Sequence, residues 1–270
     1  MIGITLAVYN KLEYTRICLE SLHEYLPPHA TVVVVDNASS DGTPEYLASL
    51  PWITVISNEE NRGCAPAWNQ GIQAAGGDWV VVLNNDIVLT KGWWHGLVDA
   101  AERWKLDIVS PAVREGDLNY DIVAYSREFS ARMADVIRRN CAHAICFAAR
   151  RTVFETIGAF DENFRIGQYE DTDFFHRARL AGFRLGKVGG SFLHHFGSVT
   201  QQSMQKNRVT NPYASQNKAY FIHKWKLTWW QRAVSRNRNK LVNWLQSRTE
   251  RLLYRHALVE VWKEGRLRYY

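Results

Sequence analysis

Apolar residues along the first 115 positions fall into two alternating rhythms. Residues 2–8, 31–35, 53–57, 78–86 and 107–113 form short runs of strand length, rich in Val and Ile. Between them come helical patterns at 14–25, where Ile17, Leu19, Leu22 and Leu26 mark an amphipathic helix, at 65–75 and at 93–104. A further helix is predicted to begin at Asp41-Gly42-Thr43-Pro44, with Thr43 as N-cap and Pro44 at the first helical position. Uninterrupted β-branched strands alternating with helices predict an α/β fold, a mostly parallel sheet covered on both faces.

In such sheets ligands bind in the crevice at the carboxyl ends of the strands. Those ends carry polar residues: Asn10, then Asp36-Asn37, then residues 58–61, then Asn84-Asn85-Asp86. Any one of them is explained by a turn; four on one edge point to a site. No GxGxxG follows the first strand and no GxxxxGK[ST] occurs, so neither a Rossmann dinucleotide site nor a P-loop is supported. A diphosphate bound here needs another neutralising group, and a divalent cation held by Asp86, Mg²⁺ or Mn²⁺, would supply it.

Charge divides the chain. Residues 216–270 hold 13 Lys/Arg against three Glu and five of the eleven tryptophans. The remaining 215 residues hold 20 basic and 24 acidic groups, and the whole chain is +6. This predicts a body over 1–215 and a basic, Trp-rich helical extension over 216–270. The extension fits an anionic membrane surface, or packing on the body or on a second copy as a homo-oligomer; nucleic acid fits it less well. No run reaches membrane-spanning length, the N-terminus carries no signal-peptide pattern, and the four cysteines form no CxxC pair. A cytoplasmic protein, peripheral on the inner face of the membrane, is the expected setting.

Six motifs then occur in one order: AVYNKLEYTRICLESL, VVVVDNASSDGT, NRGCAPAWNQGI, VVLNNDIV, IGAFDENF and YEDTDFFHRARLAGF. Together, over roughly residues 2–205, they resemble family 2 glycosyltransferases of the GT-A fold, closest in flavour to bacterial rhamnosyltransferases. The resemblance implies metal-dependent, inverting transfer of a sugar from a UDP- or dTDP-sugar to a glycan or lipid-linked acceptor in cell-surface polysaccharide synthesis. It implies that Tyr9, Asn10, Asp36, Arg62, Asn69, Asn84 and Asn85 border the nucleotide sugar. Asp86 becomes the ligand of Mn²⁺ or Mg²⁺, although Asn84 stands where the family commonly has an aspartate. Asp171 becomes the general base and Glu170 braces it or orients the acceptor. Unaided, the same acidic pair reads equally well as the negative start of a helix.

The pair His194-His195 closes another apolar run, and the family often places a metal-binding histidine at such a point. Alternation allows only one of them to face the site, and His194 is the favoured choice. Residues 198–211 are expected to form a loop that closes over the donor. The rival reading is a non-catalytic nucleotide- or glycan-binding module of the same fold, and the Asn84 departure supports it. A nucleotidyltransferase is weaker, because VYNKLEYT offers no glycine-rich basic loop.

Overall fold

The computed structural model describes residues 1–197 and 212–270, so the expected closing loop at 198–211 lies outside the described residues. In chain order the elements are β1 (Ile2–Val8), α1 (Leu12–Glu24), β2 (Ala30–Asp36), α2 (Thr43–Ala48), β3 (Thr54–Ser57), α3 (Cys64–Ala74), β4 (Trp79–Leu83) and β5 (Ile87–Leu89). There follow α4 (Trp93–Trp104), β6 (Ile108–Glu115), α5 (Ile122–Met133), β7 (Ile137–Arg139), β8 (Cys146–Arg150), α6 (Arg151–Ile157), α7 (Glu170–Leu180) and β9 (Leu185–His195). The C-terminal part holds α8 (Pro212–Lys224), α9 (Trp229–Tyr254), β10 (Val259–Lys263) and β11 (Arg266–Tyr269).

The sheet runs β11-β10-β6-β8-β4-β1-β2-β3, with β9 paired to β5, β6 and β7. β1 to β4 are parallel, β8 lies antiparallel between β4 and β6, and β9 runs parallel to β6. The unbroken apolar run of β4 follows from burial on both sides. Val81 and Leu83 pack with Leu19 and Leu22 of α1 and Leu97 of α4; Val80 and Val82 pack with Trp68 of α3 and Phe174 of α7. The predicted strand at 78–86 stops at Leu83, and Asn84 to Asp86 turn the corner into β5, which pairs antiparallel with β9. The start of α2 shifts by one residue: Gly42 is the N-cap, and the Asp41 carboxylate accepts the Thr43 amide at 3.0 Å.

β9 carries an irregularity that sets its outer half. Its register with β6 runs Pro111↔Val188 and then Ala112↔Phe192, so Gly189, Gly190 and Ser191 loop out. Glycine is required where α4 crosses this bulge: a Cβ on Gly96 would lie 1.9 Å from the Gly190 carbonyl oxygen.

The extension over 216–270 is helical in α8 and α9, but it closes as a hairpin that joins the sheet. β10 pairs parallel with β6, and β11 pairs with β10. Two buried charges anchor this end. Arg138 grips Glu250 through two bonds of 2.7 Å, and the second Glu250 oxygen also accepts the Leu258 amide at 2.9 Å. Glu260 is fully buried, bonded to the Tyr125 hydroxyl and to His256 at 3.2 Å, while Arg114 stacks at 3.7 Å over Tyr120 and at 4.7 Å over Tyr125. The charge contrast between body and extension is real, yet the two share a sheet.

Gly96→Ala tests the α4–β9 contact. In an open helix this change stabilises by about 1 kcal/mol. Here the methyl group meets backbone, and a loss of roughly 1–3 kcal/mol is expected in urea denaturation; an unchanged or raised midpoint contradicts the packing.

Candidate active site

Three strands meet at the upper edge of the sheet. β9 ends at His195, whose register partners are Ile87 on β5 and Glu115 on β6. Its flanking carboxylates are therefore Asp86, one residue before β5, and Glu115, the last residue of β6. The His195 Nε2 lies 3.3 Å from Asp86 Oδ1, and its Nδ1 lies 3.1 Å from Glu115 Oε2. Burial opposes the imidazolium, but the two carboxylates outweigh it and push the His195 pKa up to about 9. The histidine beside Asp86 is thus His195, where the sequence favoured His194. His194 is fully buried, with Nδ1 3.0 Å from the Tyr120 hydroxyl. Burial, with His195 and Arg114 nearby, holds its pKa down at about 4.

Asp86 is buried and its carbonyl accepts the Phe196 amide at 2.9 Å. Its charge reaches the thiols of Cys18 and Cys64 and the phenol of Tyr14. For Cys18, burial first and Asp86 second push the pKa up to about 12. Of the other two residues of the corner, Asn85 is bound by its side chain and Asn84 by its backbone. Asn85 donates to the Thr15 hydroxyl of α1 at 2.9 Å, and the Asn84 amide bonds the Ile145 carbonyl at 2.9 Å.

The second group of carboxylates starts α7. Glu170 is buried, and its Oε2 has no hydrogen-bond partner among the described residues. Desolvation, reinforced by the neighbouring Asp171, pushes its pKa up to about 8. Asp171 is half-buried and accepts from the Thr172 amide at 2.6 Å and hydroxyl at 3.2 Å. Burial raises its pKa, and the Thr172 bonds partly offset the rise. Glu170, the more deeply buried of the two, therefore holds its proton at neutral pH.

The two carboxylate groups share one edge through Cys64, at the start of α3. Burial and then the charges of Glu170, Asp171 and Asp86 all raise its thiol pKa. The loop before α7 is fitted closely against this point. A Cβ on Gly63, which sits at φ 88°, would lie 2.9 Å from Ile166 backbone, and Cys64 donates its amide to the Ile166 carbonyl at 2.8 Å. Ile166, Gln168 and Tyr169 all have positive φ, at 63°, 79° and 75°. Three non-glycine residues in the left-handed region within four positions are strained and persist only where their surroundings hold them.

Much of that restraint comes from α8. The Asn217 amide accepts from Arg165 N at 3.1 Å and donates to the carbonyls of Arg165, Gly167 and Gln168 at 2.9–3.0 Å. Lys224 pairs with Asp161 at 2.7 Å and Asp173 at 2.8 Å, and the Trp225 indole donates to Asp173 at 2.9 Å. Neither Asn217 nor Glu115 was singled out in the sequence. Glu115 closes a strand as the other candidates do, two positions past the predicted end of its run. Asn217 carries no local signal at all.

At the ends of β1 and β2, Asp36 is buried and caps the turn by accepting the Ser39 amide at 3.0 Å. Asn10, at φ 54°, accepts the Ser40 amide at 2.7 Å, and Tyr9 beside it is half-buried. Arg62 is exposed, and its backbone amide bonds Asn37 Oδ1 at 3.1 Å. Asn69 faces the 158–162 element, bonding Phe160 N and O and Glu162, each at 2.9 Å. The structure gathers Tyr9, Asn10 and Asp36 at the carboxyl ends of β1 and β2; Asn69 and Asn85 are held by protein partners.

The family model for glycosyl transferase family 2 matches residues 4–158, more than half of the chain. The chain belongs to glycosyltransferase family 2. It is 26% identical over 193 residues to the glycosyltransferase AglE of Haloferax volcanii, covering 68% of this chain and 63% of that protein. It is 27% identical over 204 residues to an N-acetylglucosaminyl-diphospho-decaprenol L-rhamnosyltransferase of Mycobacterium tuberculosis, covering 59% and 62%. The chain thus spans about three fifths of the length of these curated relatives. Among solved structures, it superposes on the mannosyltransferase PcManGT from Pyrobaculum calidifontis, in complex with GDP-Man and Mn²⁺, with a TM-score of 0.60, 20% identity and coverage of 82% of this chain and 64% of that one. The S. aureus TarS 1–349 complex with UDP gives 0.58, 19%, 73% and 60%. The fold is therefore of the GT-A type, a mixed, mostly parallel sheet flanked by helices.

The proton on Glu170 is checked through stability. Its folded pKa, about 8, stands above the ordinary 4.5. The burial of the neutral acid is therefore fully tolerated below the unfolded pKa, and stability is lost as pH rises from about 4.5 to 8. Glu170→Gln removes this loss: relative to the wild type, the variant gains on the order of a few kcal/mol between pH 4.5 and pH 8 in denaturant titrations. A difference that does not change with pH contradicts the assignment.

Proposed function

We propose that this chain transfers a sugar from a nucleoside diphosphate sugar, with a UDP- or dTDP-linked donor, to a hydroxyl of a glycan or lipid-linked acceptor with inversion. The observation that carries the reading is the pairing of two acidic groups on one edge: Asp86 with His195, and Glu170 with Asp171. The similarity to an N-acetylglucosaminyl-diphospho-decaprenol L-rhamnosyltransferase supports a lipid-linked acceptor, and with it a reaction at a membrane surface.

A divalent cation fits the first group. The donor set is one carboxylate oxygen and one imidazole nitrogen facing each other, where a cation would take the place of the imidazolium proton, with the far imidazole nitrogen bonded to Glu115. A carboxylate behind a ligating histidine fixes its tautomer and raises its basicity, and an oxygen–nitrogen set suits Mn²⁺ or Mg²⁺. A bound ion would supply charge neutralisation to the leaving diphosphate. Asp86 and His195 would hold it; Asn84 contributes less than the carboxylate common at its position.

The remaining steps belong to the chain's own groups. Tyr9, Asn10 and Asp36 border the base and ribose, and Arg62 lies at the rim. Asp171 accepts the proton of the acceptor hydroxyl as that oxygen attacks the anomeric carbon from the face opposite the diphosphate. Glu170, protonated, donates a hydrogen bond that orients the acceptor. Asn217 acts through the 165–169 loop and is a positioning residue.

The Asn84 departure favours the second reading, binding without turnover, and one pair of variants separates the two. Asp171→Asn is expected to lower kcat at least a thousandfold with nucleotide affinity unchanged. Asn217→Ala is expected to lower kcat about tenfold or more with little change in donor KM. Full activity in Asp171→Asn overturns its role as base, and a wild type that binds donor without turnover on any lipid-linked or soluble glycan acceptor favours the binding module.

A further inference from the structure

The two ends of the C-terminal extension are fastened to the body, but the middle is not. α8 is tied through Asn217, Lys224 and Trp225, and the far end of α9 through Glu250. Between Trp229 and Leu245 every residue except Ala233 is exposed. That stretch is roughly 25 Å of helix at 1.5 Å per residue. Helices in proteins draw most of their stability from packing an apolar face, and this stretch buries none of its large apolar side chains on the body.

The exposed side chains define the partner's chemistry. Six of the nine large apolar side chains exposed on α9, Trp230, Val234, Leu241, Trp244, Leu245 and Leu252, are 49–76% exposed. At 3.6 residues per turn they fall within an arc of roughly 100° that also holds Asn237 and Arg248; Trp229, Val242 and Leu253 lie outside it. Arg238 and Lys240 border that arc on its two sides. The same face continues into a groove of about 540 Å³ between α9 and β11, where Trp244, Arg248, Arg251, Arg268 and Tyr269 converge. Tryptophans on an apolar face with bordering basic side chains are the pattern of a helix lying in a lipid interface. A second copy fits poorly. α9 carries six Lys/Arg and a single acid, Glu250, which is buried against Arg138, so two α9 faces brought together meet like charge with like. No helix among the described residues is long and apolar enough to cross a membrane, so the contact is with its surface.

We infer that the face of α9 bearing Trp230, Leu241 and Trp244 docks on an anionic bilayer, with Arg238 and Lys240 at its borders and the Arg248–Arg251–Arg268 groove taking lipid phosphate. The inference draws its purpose from the membrane-borne acceptor proposed above, but its evidence from α9 alone. Four residues separate Lys224, which holds α7 through Asp173, from the start of α9. A bilayer bound along α9 is thereby coupled by a short link to the helix that carries Glu170 and Asp171.

The test is co-sedimentation of the full chain with vesicles of phosphatidylcholine alone and with one third phosphatidylglycerol. Binding is expected only to the anionic vesicles, weakening steeply from 0.1 to 0.5 M NaCl. A blue shift of tryptophan fluorescence should accompany it. Arg238→Gln/Lys240→Gln/Arg248→Gln should weaken partition by about a hundredfold. Trp230→Ser/Trp244→Ser should abolish the blue shift, with thermal unfolding and turnover on a soluble acceptor unchanged for both variants. Equal binding to neutral vesicles, or no binding together with a dimer in light scattering that the tryptophan variant dissociates, overturns the proposal. No binding with a monomer overturns it too. None of these outcomes bears on donor binding, so failure here leaves the transferase reading to its own test.

Discussion

His195 is gripped from both sides, by Asp86 at one ring nitrogen and by Glu115 at the other, and most of the architecture can be read as the means of arranging this. Three strands from distant parts of the chain must end together. β4 has to break at Leu83 so that Asp86 precedes β5, β6 has to run to Glu115, and β9 has to arrive in register with both. The register of β9 is therefore the constraint on which the rest depends. A slip by one residue would bring His194 to the edge and turn His195 into the aromatic interior. Gly189-Gly190-Ser191 and their contact with Gly96 hold that register.

The second acidic pair is held by different means. Glu170 and Asp171 open a helix, so the helix start favours their charge, while burial of Glu170 opposes it. The conflict keeps the proton on Glu170, whose pKa is pushed up to about 8. The strained loop before them is held through α8, from the part of the chain that composition marks as separate. Charge contrast reports what solvent meets, not where the core is divided; Glu250 and Glu260 fasten that basic segment from inside.

Much of this was legible in the residues. Runs of Val and Ile with polar ends located β1 to β4 and the edge they share, and the six ordered motifs named the family. What escaped had physical reasons. Counting alternate residues along β9 cannot select between His194 and His195, because three residues loop out and swap the faces of its outer half. Asn85 and Asn69 stand at motif positions expected to border the donor; which protein groups they bond, the Thr15 hydroxyl and the Phe160 backbone, was not legible, because an amide suits either equally well. The β10–β11 hairpin was hidden by the basic residues that alternate along an exposed edge, and Asn217 acts on a loop about fifty residues away.

The most direct measurement is calorimetric titration of UDP-, dTDP-, GDP- and CMP-sugars into wild type, His195→Ala and His194→Ala, each with and without Mn²⁺. The account predicts that one nucleotide binds the wild type with at least tenfold tighter affinity in Mn²⁺, that His195→Ala removes this gain, and that His194→Ala keeps it. A gain retained in His195→Ala, or no metal dependence for any donor, contradicts the claim that the ends of β4, β6 and β9 build a cation-assisted donor site.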